Sequence, residues 1–578
     1  QRGQDPAFLC LLRFINAAGT SKASLFRTIG QSRQFARVTY QLDLSSKRKS
    51  RGFHYPRRTQ SPPSVRLSMG HARGAMPPLV SPKNLEMKKS LIAWGATALI
   101  GSLGSLGVVG LAHAQAATQL KESSDGIGHI LLVPYYTVQD GNATLLNIVN
   151  TDKTNGKAVK IRFRGAANAD DVFSFTVYLS PNDVWAAEVS QNPATGLARL
   201  YTPDDSCAPP AAINRDFNPI RVNHVANETR EGYIEIQTMA DVVPGTDVFT
   251  AINHVDGRLP APCTGNVPVP LVLRNLMTEA GVASAGFGAP TTGLFANWSI
   301  FNVADATSWS GNATALVAVD DNGTAAAGKM VLHPQYSGLP SAKISDLTTD
   351  PLMLSGVQTA QLLDFPDLST PYVSGVTPAQ QVAMLSAALA KSSVRNEYFT
   401  DNAVAASTDW VFTLPTRRYS VTMDYVADVR AFAPRAADYF TSANSSIWSV
   451  DGIRRICLSG TDKDFWSRSS QQWIDPGLGI EPRSNSFHLC GAVSVWSINA
   501  GDTQDNSALS ASIIRTNYEL DAADGWGELR TPGIGNLGLP VLGAAFAKAT
   551  STNIGGGVSG NFGIAWEHRY TRPSGVVH

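Results

Sequence analysis

The sequence has little cysteine and little charge, and it lacks the linear signatures of several common enzyme classes. Only five of its 578 residues are cysteine, and 16% are charged. It contains no G-x-S-x-G, no H-E-x-x-H and no P-loop, which argues against the hydrolase, zinc-protease and nucleotide-binding mechanisms that use those motifs. G-x-G-x-x-G occurs at 533–538 and 555–560, but neither copy follows a clear strand and opens a helix. We interpret both as glycine-rich loops, and we expect neither a catalytic centre nor a cofactor.

Metal-binding patterns are missing as well. There is no C-x-x-C, no full EF-hand loop and no pair of histidines spaced as ligands on a predicted helix or strand. Acidic turns recur at 167–171, 319–323 and 521–525. Because Asp, Asn and Gly are common turn formers, we interpret these segments as structural turns, with a calcium site as the alternative. We interpret His568, in "WEHRY", as a solvated histidine at a strand end.

A secretory signal begins at Met87, well inside the chain. Two lysines precede an uncharged run from Leu91 to Leu111, and a small-x-small motif follows this run. We expect residues 87–114 to be a signal peptide that is cleaved between Ala114 and Gln115. A retained membrane anchor is the alternative, because an uncharged run of this length is long enough to span a bilayer.

Residues 1–86 differ in composition from the rest of the chain. They contain 15 Lys and Arg against 3 Asp and Glu, and they are rich in proline. Such a segment cannot bury enough apolar surface to offset its ordering entropy, so we expect a disordered basic leader. Translation from upstream of a start at Met87 is our first explanation, and an organellar transit peptide is the alternative.

Removal of the first 114 residues reveals an acidic protein. Subtracting 17 basic and 3 acidic residues from totals of 47 and 46 leaves 30 and 43, a net charge of −13. An acidic surface argues against nucleic acid and anionic lipid as partners. It is compatible with self-association or with other components of a cell surface. No membrane span is predicted in the mature chain.

Four cysteines follow the leader, and an even number in an exported chain indicates disulfides. We expect Cys207 to pair with Cys263 and Cys457 with Cys490, because each pair falls in one region of the sequence. Free buried thiols are the alternative.

The chain after residue 115 is typical of a mainly β protein. Between 129 and 189, five apolar or alternating segments are separated by turn clusters at hairpin spacing. In "AVKIRFRG" the apolar residues Val159, Ile161 and Phe163 alternate with basic ones. This spacing predicts antiparallel β-sandwich domains of immunoglobulin-like type, with a partly helical insertion. The predicted units are a β-sandwich domain at 115–270, a β segment with the helical insertion at 271–400, and a β-rich domain at 401–578 that completes a second sandwich.

One helix is predicted clearly within the insertion. In "VTPAQQVAMLSAALAKSS", Thr377 is placed to cap the helix and Pro378 to occupy its first position. Val382, Leu385, Ala388 and Leu389 then share one face. A shorter helix in "LVLRNLMTEAG" is predicted to end at Gly281.

Tryptophans and scattered carboxylates are the remaining chemical features. Most tryptophans in β-sandwiches fill the core, and we expect the same here, although exposed rings could stack on sugars. Asp409, Asp424 and Asp428 are the carboxylates that a glycosidase would need, but nothing in the sequence sets their separation.

Several phrases resemble a group of exported, uncharacterised proteobacterial proteins, often labelled as cell-surface or hypothetical secreted proteins. They are "IRFRGAANADDVFSFTVYLSPNDVWAAEV", "EGYIEIQTMADV", "STDWVFTLPTRRYSVTMDY" and "LPVLGAAFAKAT". The resemblance covers most of residues 120–570. It implies an exported location and a β-rich fold, and it transfers no catalytic or ligand-binding residue.

We therefore expect an exported protein, located at the cell surface, outside the cell or in the periplasm. A structural, adhesive or self-assembling role without a catalytic centre is the first hypothesis. The alternative is a secreted hydrolase or carbohydrate-binding protein that uses acidic loops and exposed tryptophans.

Overall fold

The computed structural model describes most of the chain after residue 115. The described ranges are 116–208, 213–258, 279–331, 368–424, 429–432, 438–450, 453–460, 462–473, 485–500, 507–520, 522–551 and 560–574. All of them lie in a compact unit that contains Ala112–His578. The predicted leader, the signal peptide and the cleavage site between Ala114 and Gln115 lie outside the described residues.

Sheet I has seven strands. In spatial order they are β1 (Gln119–Glu122), β12 (Thr314–Val319), β2 (Ile130–Thr137), β8 (Glu231–Val242), β4 (Gly156–Gly165) and β5 (Asp171–Leu179), with β9 (Phe287–Gly288) also paired to β8. Every one of these pairings is antiparallel.

Sheet II has five antiparallel strands. Their order is β11 (Thr307–Asn312), β10 (Leu294–Asn302), β3 (Asn142–Asn150), β6 (Val184–Gln191) and β7 (Ala198–Tyr201). Apolar residues of sheets I and II pack in one core; for example, the ring centroids of Phe175 and Trp185 are 5.5 Å apart.

Two further sheets are formed later in the chain. Sheet III has the order β21 (Gln472–Trp473), β20 (Lys463–Ser467), β25 (Asp524–Arg530), β14 (Ser393–Phe399) and β29 (Arg569–Thr571). Sheet IV has the order β24 (Arg515–Leu520), β23 (Val493–Ala500), β15 (Ser407–Thr413), β27 (Leu542–Ser551) and β28 (Gly560–Glu567). Sheet IV includes one parallel pair, β23 with β24.

Sheet IV is covered on both faces. Val411 and Phe546 pack in the core shared with sheets I and II, whereas their neighbours Trp410 and Ala545 pack in a second core with residues of sheet III. All seven residues of β15 are consequently buried, which explains the apolar run "WVF" in that strand.

The remaining elements are small. Two-stranded pairs are formed by β13 (Ala390–Lys391) with β26 (Leu539–Pro540) and by β16 (Val421–Asp424) with β17 (Val429–Phe432), and β18 (Ser445–Val450), β19 (Ile453–Gly460) and β22 (Phe487–Cys490) form a three-stranded sheet. Within the described residues, the α-helices are α1 (Asp247–Ile252), α2 (Glu279–Ser284) and α3 (Pro378–Leu389).

The prediction for α3 is confirmed. The hydroxyl of Thr377 accepts a hydrogen bond from the backbone of Gln380, whose side chain accepts one from the backbone of Thr377, and Pro378 opens the helix. The four residues predicted to share a face are buried. The predicted end of the shorter helix at Gly281 is wrong, because α2 continues through it to Ser284.

The mainly antiparallel β class is confirmed, whereas the immunoglobulin-like description stays a prediction. The sheets do not divide the chain at residue 270. Strands β10 and β12, from the predicted second segment, hydrogen-bond with β3 and β2 of the first. Strand pairing across a sheet depends on tertiary contacts, which local turn signals do not encode.

Strand β4 is buried on both faces. The alternation in "AVKIRFRG" is typical of a strand with one solvated face, yet all ten residues of β4 are buried. Arg164 forms an ion pair with Glu235 at 3.0 Å, and Arg162 one with Asp171 at 3.3 Å. The basic face is therefore covered by protein and neutralised by carboxylates.

The cysteine prediction is confirmed for one pair. A disulfide joins Cys457 of β19 to Cys490 of β22, which lie opposite each other in the sheet. Cys207 is also disulfide-bonded, and its predicted partner Cys263 lies outside the described residues.

Candidate functional site

Of the three aspartates that a glycosidase would need, Asp409 is the one whose side chain the structure describes, and it has a structural role. Asp409 is fully buried in β15 and accepts hydrogen bonds from Ser497, from Ser507 and from the backbone N–H of Leu509. Burial raises its pKa, and these hydrogen bonds oppose that effect. The side chains of Asp424 and Asp428 lie outside the described residues.

His568 is buried, so the expectation of a solvated histidine is wrong. Its Nε2 is 3.0 Å from the carbonyl oxygen of Val411, and its Nδ1 is 2.9 Å from the amide nitrogen of Asn396. Desolvation lowers its pKa to about 3. The imidazole is therefore neutral, with Nε2–H donating and Nδ1 accepting, and it stacks on Phe412.

The acidic turns are held by their own hydrogen bonds or by ion pairs. Asp320 accepts from the backbone N–H groups of Asn322 and Thr324, both at 2.9 Å, as in a structural turn. Asp171 pairs with Arg162, and Asp524 pairs with Arg468. Within the described ranges, no group of three or more His, Cys, Asp or Glu side chains is arranged to hold a metal ion.

A serine, a histidine and two aspartates meet at an edge that the sequence did not predict. Ser180 Oγ is 3.0 Å from His254 Nδ1, and His254 Nε2 is 3.3 Å from Asp205. However, Ser180 Oγ also donates to Asp183, whose carboxylate is 3.6 Å from the same Nδ1. Because Ser180 Oγ donates its proton to Asp183, that proton is not directed at His254, as a serine nucleophile activated by a histidine base would require. We interpret this cluster as structural, because His254 links Ser180, directly after β5, to Asp205.

A cavity of about 600 Å³ lies between β1, β12 and the turn at 151–155. Its lining includes Asp125 and Asp152. Hydrogen bonds from Ser123 and Ile127 lower the pKa of Asp125. Burial acts to raise the pKa of Asp152, but hydrogen bonds to its carboxylate and the nearby Lys157 outweigh burial and lower it to about 2. Both carboxylates are ionised at neutral pH, so neither is suited to donate a proton to a glycosidic oxygen.

The strongest candidate is an aromatic surface on sheet III. Trp466 of β20 and Trp526 of β25 lie directly opposite each other, with ring centroids 4.1 Å apart and ring planes inclined by 17°. Trp526 is 39% exposed. Gln472 lies opposite Trp466, and Glu397 lies opposite Trp526 on the other side. We call this row, Gln472–Trp466–Trp526–Glu397, the tryptophan face.

Glycines on the buried face of β25 leave Trp526 on the outer face of the sheet. In "DGWGE" the residues alternate between the two faces of β25. A Cβ atom at Gly527 would lie 2.4 Å from Phe465 and 2.9 Å from Trp410. The buried side of the strand therefore accommodates only glycine at this position, whereas Trp526 shares the outer side with Asp524 and Glu528.

Ion pairs surround the two indoles. The pairs join arginines and carboxylates of neighbouring strands or turns: Arg530–Asp464, Arg530–Asp462, Arg468–Asp524, Arg395–Glu528 and Arg569–Glu397. Gln472 donates to Asp464 at 2.7 Å. The guanidinium, carboxylate and amide groups around the indoles are planar and partly exposed, and these ion pairs and this hydrogen bond hold them in place.

The tryptophan expectation holds for part of the set. Buried indoles belong to Trp185, Trp298, Trp309, Trp410 and Trp496. Trp448 and Trp526 are exposed, and the side chain of Trp473 lies outside the described residues. The sequence does contain a signal for the half-buried Trp466 and the exposed Trp526: in "KDFWSR" and "DGWGELR" each alternates in step with charged residues, which places it on the same face of its strand as these residues.

Comparison with protein-family models, with curated proteins and with solved structures gives no match. Within the part of the chain that the structure covers, no helix is long and apolar enough to cross a membrane. The chemistry of the tryptophan face is therefore the basis for a functional assignment.

Proposed function

We propose that this is an exported protein without a catalytic centre, that it has an adhesive role, and that its tryptophan face binds neutral polysaccharide. The observation that carries the proposal is the stacked pair Trp466–Trp526 on an exposed sheet surface. The Cys457–Cys490 disulfide supports export, because such bonds persist in oxidising compartments.

The chemistry of the tryptophan face suits a sugar chain. Indoles offer large apolar surfaces to the C–H faces of pyranose rings, and they lose little conformational entropy on binding because they are already stacked. The amide of Gln472 and the neighbouring carboxylates and guanidinium groups offer planar donors and acceptors to hydroxyl groups.

The charge balance favours a neutral ligand. Four arginines and five carboxylates form the ion pairs around the indoles, so the surface has almost no net charge. A polyanion such as nucleic acid would meet no excess of positive charge there. A neutral polysaccharide needs no excess of positive charge to stack on the indoles and to form hydrogen bonds with the polar groups.

Binding is favoured over hydrolysis on the same surface. A glycosidase needs one carboxylic acid with a raised pKa beside a second carboxylate. Each carboxylate around the indoles is instead engaged in an ion pair with an arginine, which ties its oxygens to a structural partner. The secreted hydrolase remains the alternative, to be tested together with binding.

The finer description of the fold is also a proposal. Sheets I and II share one core, as the two layers of a sandwich do, and this supports sandwich packing for that part of the chain. An immunoglobulin-like arrangement would be tested by the strand order in an experimental structure.

Pull-down of the full chain with insoluble cellulose, chitin and peptidoglycan tests the function. We expect retention on at least one of them, and at least a tenfold weaker affinity for Trp526→Ala and for Trp466→Ala. Trp448→Ala is the matched control, because that ring is 44% exposed and lies on a different sheet. Its affinity should equal that of the unmodified protein.

Two results would contradict the proposal. Equal loss of affinity in the Trp448 control would show that binding is non-specific adsorption through exposed rings. Release of soluble sugar that is abolished by Asp464→Asn would establish the hydrolase alternative instead.

A further inference from the structure

We propose that strand β28 pairs antiparallel with β28 of a second copy of this chain, so that the two copies of sheet IV join and the protein is a dimer. This interaction surface is independent of the tryptophan face, which lies on sheet III.

Strand β28 is the last strand of sheet IV. It pairs with β27 along its whole length, from Gly560 opposite Ser551 to Glu567 opposite Ala544, without a shift of register. No second strand pairs with it among the described residues. Its outer row of backbone N–H and C=O groups is thus a regular template for another strand.

The side chains of β28 make this edge apolar. Phe562 is 48% exposed and Ile564 is 49% exposed, and both point to the same face as Trp566. No other described strand contributes two large exposed apolar residues. The single charged residue of the strand is Glu567, at its end.

The opposite face of β28 is supported from below. A Cβ atom at Gly563 would lie 2.3 Å from the carbonyl oxygen of Ser308 in β11. The indole N–H of Trp309, also in β11, donates to the carbonyl of Ala547 in β27 at 2.8 Å. Strand β11 therefore lies against the face of β28, which leaves its edge open to another strand.

Three other edge strands carry charged residues, which disfavour pairing between molecules. Strand β1 carries Lys121 and Glu122, β24 carries Arg515 and Glu519, and β29 carries Arg569. Charges on an edge strand disfavour pairing with a second molecule, as do prolines and bulges. Strand β28 has no proline and no bulge, and its one charged residue, Glu567, lies at its end; this pattern points to a partner at that edge.

A second copy suits this edge because the strand is self-complementary. A twofold axis perpendicular to the sheet keeps each face of β28 on the same side in both copies. Residues whose side chains point to the same face therefore lie opposite each other. Phe562 then lies opposite Phe562, Ile564 or Trp566 of the other copy, and the apolar rows meet on one face. Glu567 lies near the far end of the partner strand, so the two carboxylates are kept apart.

The symmetry also limits the size of the assembly. A twofold contact uses the same strand on both copies and leaves no free β28 edge, so it closes as a dimer. Filaments or surface layers would need a second, different interface.

Sedimentation equilibrium of the full chain over a range of concentrations tests the dimer. We expect Ile564→Lys to raise the dissociation constant at least tenfold, because it places a charge in the apolar row of each copy. Val184→Lys is the matched control: Val184 is 47% exposed, but its strand β6 is paired on both sides. The control should dimerise like the unmodified chain, and thermal melting should show that both variants fold.

Cross-linking gives a second measurement that does not weaken the strand. A disulfide-linked dimer from Ile564→Cys alone places that residue on the axis, and one from Phe562→Cys alone places the axis there. A linked dimer that forms only when the two variants are mixed places the axis at Gly563. Each of these results supports the pairing.

The proposal is overturned if the unmodified chain is a monomer at all concentrations, or if Ile564→Lys and the unmodified chain associate equally. It is also overturned if none of the three cysteine experiments yields a linked dimer.

Discussion

Glu231 accepts a hydrogen bond from the backbone N–H of Ser512 at 2.8 Å, although 281 positions separate the two residues in the sequence. Glu231 begins β8 in sheet I, and Ser512 lies in the connection between β23 and β24 of sheet IV. Asp409 accepts from the backbone N–H of Leu509 in the same connection, at 2.9 Å. The buried carboxylates of Glu231 and Asp409 thus hold the connection between β23 and β24 against sheets I and IV.

We predict that Glu231→Ala lowers the free energy of unfolding by about 3 kcal/mol, because the donors of Ser512, Gln139 and Tyr135 lose a buried acceptor. Urea denaturation measures this loss. Glu397→Ala is the control, since that side chain is 61% exposed and should change stability by less than about 0.5 kcal/mol. Equal effects of the two substitutions would contradict the role of Glu231.

Glu231→Gln should differ from the alanine variant in its pH dependence. Burial raises the pKa of Glu231 above its usual 4.5, and hydrogen bonds from Ser512, Gln139 and Tyr135 oppose this effect. The folded state then binds a proton more tightly than the unfolded state, so the contribution of Glu231 to stability falls as pH rises above about 4.5. The amide cannot ionise. In urea titrations from pH 4.5 to pH 8, we expect Glu231→Gln to gain stability relative to the unmodified protein. A stability difference between the two proteins that does not change with pH would contradict the raised pKa of Glu231.

The buried His568 predicts sensitivity to acid. Desolvation lowers its pKa to about 3 from the usual 6.5, so the unfolded state binds the proton more tightly and stability falls as pH decreases below 6.5. At pH 5 this costs about 2 kcal/mol. In His568→Gln this loss should disappear from the melting profile between pH 7 and pH 5. The exposed His224→Gln, as control, should retain it.

The Cys457–Cys490 bond joins adjacent strands and encloses a segment of 33 positions. Removing it by Cys457→Ala together with Cys490→Ala should lower stability by about 3 to 4 kcal/mol, because the unfolded chain regains the entropy of an open loop. Thermal unfolding measures the effect. Dithiothreitol should lower the melting temperature of the unmodified protein more than that of the variant, and the opposite order would contradict a structural role of this bond.

Gly527 positions the tryptophan face from below. Gly527→Ala would bring a methyl group within 2.4 Å of Phe465, and we expect it to lower stability by about 1 to 3 kcal/mol and to weaken polysaccharide binding. Gly288→Ala is the control, because its new atom would lie 3.2 Å from the exposed side chain of Val243. Retention of both full stability and full binding in Gly527→Ala would show that glycine is not required there.

The sequence predicted features whose signals are local. The helix α3, its cap at Thr377 and its buried face follow from a few neighbouring residues. The pairing of Cys457 with Cys490 was inferred from their closeness along the chain, and hairpin spacing indicated antiparallel sheets. The environment of His568 was not predicted, because Asn396 and Val411 are far away in the sequence.

Short-range signals are sufficient to predict a mainly β protein with turn-punctuated strands and a capped helix, because backbone preferences, capping and side-chain alternation act between near neighbours. Which of the alternating faces meet water depends on contacts that form in the folded chain. The basic residues of β4 are buried because other segments cover them and supply carboxylates. Trp526 is exposed because the opposite face of β25, at Gly527, packs so closely against Phe465 and Trp410 that it has no room for a side chain. Burial depends on what packs against a face, and that partner comes from a distant part of the chain.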